Sequence, residues 1–260
     1  MEHSLIHRTD ALTLCIVLFI AMLLLFPLGR MAGKIWRKDE DEPKGGVSSL
    51  LNAVFGLSAF VLAFTFGMSA SRYSNVRELL TEEANDIGTA VLRSDLYTDS
   101  VRDEFRGDFK KYIDARLSFY NNIKDTTQLS LAKKEASKAA ASLWQRTMQQ
   151  SKQPNMLIPS NNMVPALNSM FDIATTVELT LYTRVPDLIV YMLFILALVS
   201  SFIGGFTSTV IRKRDGIVIV IFALFSSMVT YITLDLGRPM RGTIKADIGT
   251  QAIIEIRNSL

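Results

Sequence analysis

Four long apolar blocks constrain this chain more than any other feature. They run over Ala11–Gly29, about Val47–Ala70, Leu188–Ile211 and Gly216–Leu236. About 20 apolar residues rising 1.5 Å each match the thickness of a bilayer's hydrocarbon core. A backbone in that core must satisfy its own hydrogen bonds, so blocks of this length read as transmembrane helices. The first block, "ALTLCIVLFIAMLLLFPLG", follows Arg8 as a signal peptide would. It is too long for an h-region and lacks a small-x-small cleavage site, so it reads as a membrane helix.

The average composition hides this pattern. Of 260 residues, 49% are hydrophobic and 20% charged, but the apolar ones are gathered into the four blocks. Cys15 is the one cysteine, so no intrachain disulfide forms, and the two histidines, His3 and His7, sit beside the N-terminus. Zinc binding and histidine-based catalysis have almost nothing to work with. The net charge of +3 is too small to suggest a nucleic-acid partner. No cofactor, metal site or enzymatic activity is expected.

Residues 72–186 are strongly polar and read as helical almost throughout, with no strand alternation. "SNVRELLTEEANDIGTAVLRSDL" continues the second block into water without a breaker. Thr98 or Asp99 caps a helix reaching roughly Asn121, and the Ala/Lys-rich stretch 127–150 makes another. "KQPNMLIPSNN" reads as a loop, followed by a helix over about 162–184. The expected architecture is therefore an all-α membrane protein with four transmembrane helices and an antiparallel helical bundle inserted between the second and third. Residues 1–70 hold the first transmembrane hairpin (helices about 11–29 and 47–70), and 71–186 the extramembrane helical domain. Residues 187–237 hold the second hairpin (188–211 and 216–236), and 238–260 form a tail. The short link "RKRDG" predicts that the last two spans are antiparallel neighbours.

Orientation follows from Lys and Arg near the spans. Arg30, Lys34, Arg37, Lys38 and Lys44 crowd the first loop, and Arg212, Lys213 and Arg214 the second short one. Both loops are expected in the cytoplasm. A multi-pass protein of the cell (inner) membrane results, with the helical domain and both termini on the outer, periplasmic side. Arg238, Arg241 and Lys245 beyond the fourth span pull the other way.

Three stretches are candidates for function. Gly56, Ala59, Ala63 and Gly67 recur at three- and four-residue steps and form a smooth stripe for helix packing, within or between subunits. Phe60, Phe64 and Met68 form a ladder at i, i+4 and i+8, which lines either lipid, core, or the hydrophobic neck of a pore that gates by dewetting. In "TEEANDIGTAVLR", Glu82, Asp86 and Arg93 share a helical stripe and Glu83 sits one step round. These charges are either a solvated bundle face or, for Glu83 and Arg93, the wall of an ion vestibule. After the fourth span, "TLDLGRPMRGTIKAD" places Asp235 and Arg238 where the chain leaves the membrane. Pro239 ends the helix and Gly242 allows a turn. The pair reads as a structural lock or, for Arg238, as part of an anion path.

"FGLSAFVLAFTFGMSASRYSNVRELLTEEANDIGTAVLR", then Arg184 and Pro186, then "LDLGRPMRG", resemble in that order the bacterial bestrophin-like family of integral membrane proteins. The family's marks fall on Glu83, Ala84, Gly88, Arg93, Asp235, Arg238, Pro239 and Gly242, while Gly237 stands where many relatives carry a second acid. The resemblance implies a pentameric, ligand-gated anion channel with a hydrophobic neck on its second membrane helix. The basic loops oppose a simple transfer, because bestrophins hold their domain in the cytoplasm. The acidic calcium clasp of animal bestrophins has no counterpart here.

The sequence therefore favours an oligomeric ion channel, with anions ahead of cations, whose partners are the lipid bilayer, its own copies and small inorganic ions. The alternative is a non-conducting membrane scaffold or sensor whose helical domain binds a protein or ligand.

Overall fold

A computed structural model describes residues 9–36, 46–183, 186–208 and 213–260. Arg184 lies outside the described residues, as do His3, His7, Arg8, Arg37, Lys38, Lys44 and Arg212. The helices are α1 (Ala11–Trp36), α2 (Gly46–Arg93), α3 (Asp99–Asn121), α4 (Thr126–Gln150), α5 (Leu157–Tyr182), α6 (Asp187–Thr207), α7 (Lys213–Leu236) and α8 (Asp247–Asn258). The chain divides into two compact units. One comprises residues up to Arg72 together with Arg184–Gly237, the other Tyr73–Thr183 together with Arg238–Leu260. Windows long and apolar enough to cross a membrane occur in α1, in α2, in the stretch covering α5 and α6, and in α7.

In the first unit, α1 packs chiefly against α6 and next against α7, whereas α6 and α7 touch each other only slightly. α6 and α7 nevertheless share a cluster in which Val190 and Phe194 of α6 pack with Leu234 and Tyr231 of α7, with α1 set against both. Small residues explain the preference. A Cβ on Gly29 would stand 2.0 Å from the Phe202 carbonyl oxygen, and one on Gly205 2.0 Å from that of Phe26. Only glycine at both positions lets the two backbones approach so closely, as in small-residue membrane crossings. The Ser201 hydroxyl adds a 2.6 Å hydrogen bond to the Met22 carbonyl. A short link fixes which helix follows which, but side-chain size decides which helices meet.

Pro27 sits inside α1 and removes one backbone donor. α6 ends at Thr207, four residues before the apolar block does, and α7 begins at Lys213, before its block.

The second unit is a helical bundle around an apolar core. Its core holds Phe105, Phe109 and Ile113 of α3, Leu143 of α4, and Met163, Leu167 and Met170 of α5, all fully buried. Asp125 caps α4 by accepting from the Thr127 and Gln128 amides at 2.9 and 3.2 Å. α5 starts at Leu157, five residues before the sequence predicts. Pro159 occupies its first turn, where an amide would have no intrahelical partner in any case. The turn before it contains Asn155 in a left-handed conformation, φ 65°.

The tail contains a helix that the sequence reading did not find. α8 buries Ile253 completely. Gly249 meets α2 so closely that a Cβ would lie 2.5 Å from the Leu80 carbonyl carbon. The Ile256 side chain passes Gly88 at ordinary contact distance. Arg257 Nε donates to Asp114 on α3 at 2.9 Å, and Arg241 Nη2 to the Ile123 carbonyl at 2.6 Å.

Candidate functional site

The second helix carries most of the candidate residues, and its circumference divides them. Within the first unit, α2 buries Val61, Thr65 and Ser69. Their polar members are satisfied locally where the bonds are defined: Thr65 Oγ1 donates to the Val61 carbonyl at 2.7 Å, and Ser58 Oγ to the Val54 carbonyl at 2.8 Å. Ser58 also meets Ser200 of α6 at 2.9 Å.

The adjoining arc is open. Phe60 and Phe64 are 67% and 56% exposed, and their rings stack at 6.5 Å with planes 13° apart. Met68 is half-buried. Gly56, Ala59, Ala63 and Gly67 are all exposed, and a Cβ on Gly56 or Gly67 would meet nothing within 4 Å. In the single chain, the small stripe and the aromatic ladder are neighbouring exposed faces, with Ala59 at the border of the face turned to α6 and α7.

In the second unit, α2 presents Glu83, which is completely buried. It does not pair with Arg93, which is exposed. Instead Arg116 of α3 donates from Nε to Glu83 Oε1 at 2.6 Å and from Nη2 to the Tyr120 hydroxyl at 2.7 Å. Tyr120 donates in turn to Glu83 Oε2, closing a three-membered ring of hydrogen bonds. The Arg116 guanidinium also lies 5.0 Å from the centre of the Phe119 ring, within cation–π range.

Burial pushes the Tyr120 phenol well above its ordinary value, and the neighbouring Glu83 charge adds to the shift, so Tyr120 stays a neutral donor. Burial opposes the charge on Arg116, but Tyr120 and Glu83 outweigh it and hold the guanidinium protonated. Tyr112 is also raised, by burial first, with Arg116 opposing and Glu83 reinforcing the shift. A buried acid whose two oxygens are taken by Arg116 and Tyr120 is poorly suited to proton transfer or ion capture. The ring joins α2 to α3 within the bundle. The sequence reading placed Glu83 but missed Arg116 and Tyr120, whose i, i+4 spacing on an amphipathic helix was the available signal.

The "LDLGRPMRG" stretch contributes to each unit separately. In the first, Asp235 is buried near the end of α7, and Arg72 Nε donates to the Gly237 carbonyl at 3.2 Å, satisfying one orphan acceptor of that helix end. In the second, the Arg238 carbonyl accepts from the amides of Arg241 and Gly242, both at 2.9 Å, forming the turn that leads to α8. The buried Pro239 accepts from the Ala246 amide at 3.0 Å. Among the described residues, no three His, Cys, Asp or Glu side chains gather as a metal site.

The bestrophin-like domain model matches residues 15–247, nearly the whole chain. The chain belongs to the bestrophin-like family. Bestrophin homologues are known as ion channels rather than enzymes. Solved structures share the fold. A crystal structure of a bacterial bestrophin homologue from Klebsiella pneumoniae, solved by Zn-SAD phasing, superposes with a TM-score of 0.73 at 12% identity, covering 94% of this chain and 96% of that one. A single-substitution variant of the Klebsiella homologue gives 0.68 at 13% identity, covering 99% and 97%. At such identities the likeness concerns the fold alone. No curated protein sequence matches. This bestrophin-like chain is therefore an all-α membrane protein whose relatives include crystallised bacterial homologues.

Proposed function

We propose that the chain assembles into a closed ring, pentameric as in the bestrophins it resembles, and passes small inorganic ions along an axis lined by α2. The observation that carries this reading is the division of α2. Its hydroxyl-bearing face is buried in its own unit, while Phe60 and Phe64 stay open beside the bare stripe of Gly56, Ala59, Ala63 and Gly67. The small stripe suits close approach by a second copy. Phe60, Phe64 and Met68 would then form a dry neck. Large, weakly hydrated anions lose water there at lower cost than small cations do, so anions are favoured. The basic loops put the helical domain and both termini on the outer side of the cell membrane.

Leu92 and Ile158, 69% and 74% exposed on the bundle, favour the second reading, a scaffold or sensor that binds a protein through this domain. Liposome reconstitution with an ion-flux assay, alongside mass measurement in detergent, separates the two. A ring that conducts supports the channel. A monomer or dimer without flux removes it.

A further inference from the structure

A cavity of about 280 Å³ lies within the first unit, between α2, α6 and α7. Phe55, Leu62, Leu193 and Phe222 supply apolar walls, and no charged residue lines it. Phe55 and Phe222 meet edge to face at 5.3 Å, closing one side. The lining also carries the hydroxyls of Ser58, Ser200, Ser226 and Thr230.

The protons of Ser58, Ser200 and Thr230 are committed. Each has one to give. Thr230 donates to the Ser226 carbonyl at 2.8 Å and Ser58 to the Val54 carbonyl at 2.8 Å. The 2.9 Å contact between Ser58 and Ser200 must then be a bond donated by Ser200. What remains on Ser200 and Thr230 is acceptor capacity only. An anion entering here would meet apolar walls and no countercharge. A cation would lose its hydration to two or three neutral oxygens, at a cost they cannot offset. The walls suit a chain of methylenes, and the free lone pairs suit one hydroxyl donor.

The volume falls just short of the roughly 300–1,000 Å³ of pockets that hold drug-sized ligands. It matches roughly nine heavy atoms at about 30 Å³ each, the share of one water in the liquid. We propose that this cavity is a binding site for a neutral alkyl alcohol of about octanol size, seated with its hydroxyl on Ser200 or Thr230. The walls come from one chain, with Ala59 of the small stripe at the edge, and alcohol binding does not depend on ion conduction.

Photolabelling of the purified full-length protein in detergent with a diazirine-bearing octanol tests this, with adducts located by peptide mass spectrometry. Adducts are expected on Phe55, Leu62 and Phe222 and should fall about tenfold when unlabelled 1-octanol is added. Octane should compete more weakly, and octanoate, of equal length but charged, should not compete. Ala197→Phe places a ring in the cavity and should abolish labelling there. Ser200→Ala, which changes little volume, should weaken octanol competition by about 3–10-fold, the range of one net hydrogen bond, and leave octane unchanged. Circular dichroism confirms that each variant is folded, and the serine variant carries the test if the phenylalanine one is not. Equal competition by octanoate overturns the proposal. So does labelling that follows exposed Leu57, Leu224 and Phe225 as strongly as the cavity wall. Ion flux enters none of these readouts, so a negative result here leaves the channel reading standing, and the reverse holds too.

Discussion

Glu83 and Arg116 meet at 2.6 Å with both side chains withdrawn from solvent, and Tyr120 bridges them. Removing one member of a buried ion pair strands the other, which typically costs about 3–5 kcal/mol. Arg116→Ala is expected to lose at least that much in thermal or chemical unfolding, with Glu83→Ala similar. Tyr120→Phe removes hydrogen bonds but no charge and should cost about 1–3 kcal/mol. Replacing both charges with apolar residues, as in Glu83→Leu with Arg116→Met, should recover much of the single-variant loss. Additive losses in that cycle would mean the two side chains do not interact.

The same cluster predicts an alkaline limit. The folded pKa of Tyr120 is raised above its unfolded value near 10, as is that of Tyr112. Folding then retains a proton that the unfolded chain has released, so stability is fully present below about pH 10 and falls as pH rises beyond it. Each such tyrosine adds a slope of up to about 1.4 kcal/mol per pH unit in that range. Tyr120→Phe should flatten the alkaline limb by that amount, measured by denaturant unfolding between pH 8 and 11. An unchanged slope would count against a buried neutral phenol at this position.

The reciprocal contact of Gly29 and Gly205 gives a sharper test of packing. Either residue changed to alanine would drive a methyl into a carbonyl oxygen 2.0 Å away. The backbones must separate, and over-packing of this kind costs about 1–3 kcal/mol or more. Gly56→Ala and Gly67→Ala meet nothing in the single chain. They should leave its melting temperature unchanged, with any effect appearing in assembly. Equal destabilisation at all four glycines would contradict the α1–α6 crossing.

These examples show what the sequence could convey. The four spans and the all-helical class were legible because length, hydropathy and the lack of strand alternation are local properties. Pairing is not local. Glu83 finds its partner 33 positions away on another helix, whereas sequence spacing left it either on a solvated bundle face or on a vestibule wall. The "RKRDG" link pointed to α6 beside α7, but nothing local announced that Gly29, Ser201 and Gly205 would bring α1 still closer to α6. Pro159 looked like a loop residue because a first-turn proline and a loop proline read alike. α8 was legible as well, since its 12 residues place Ile248, Ala252, Ile253 and Ile256 at helical spacing, the pattern of an amphipathic helix.

Topology is the next expected outcome, and it rests on the cations of the two short loops. Ser130 is exposed on α4, so a single cysteine there, in a chain with Cys15 replaced, reports which side holds the bundle. An impermeant maleimide should label it in intact cells. Labelling only after permeabilisation would reverse the assignment and align the chain with bestrophins that keep their domain inside.

The neck offers the most demanding test, because it asks two adjoining faces of α2 to behave differently. If copies of α2 surround an axis with Phe60, Phe64 and Met68 inward, the constriction is dry and an ion must shed water to pass. Phe64→Ala removes one ring per subunit from a stack in which Phe60 and Phe64 lie 6.5 Å apart. Water should then enter, and anion flux in liposomes should rise about tenfold or lose its gating. Ala63→Leu alters the neighbouring small face, where a second helix would approach. It should lower the ring-to-monomer ratio in detergent, while the flux per assembled ring stays the same. Both variants losing only stability, with wild-type liposomes silent across voltages and anions, would remove the neck and leave the scaffold reading.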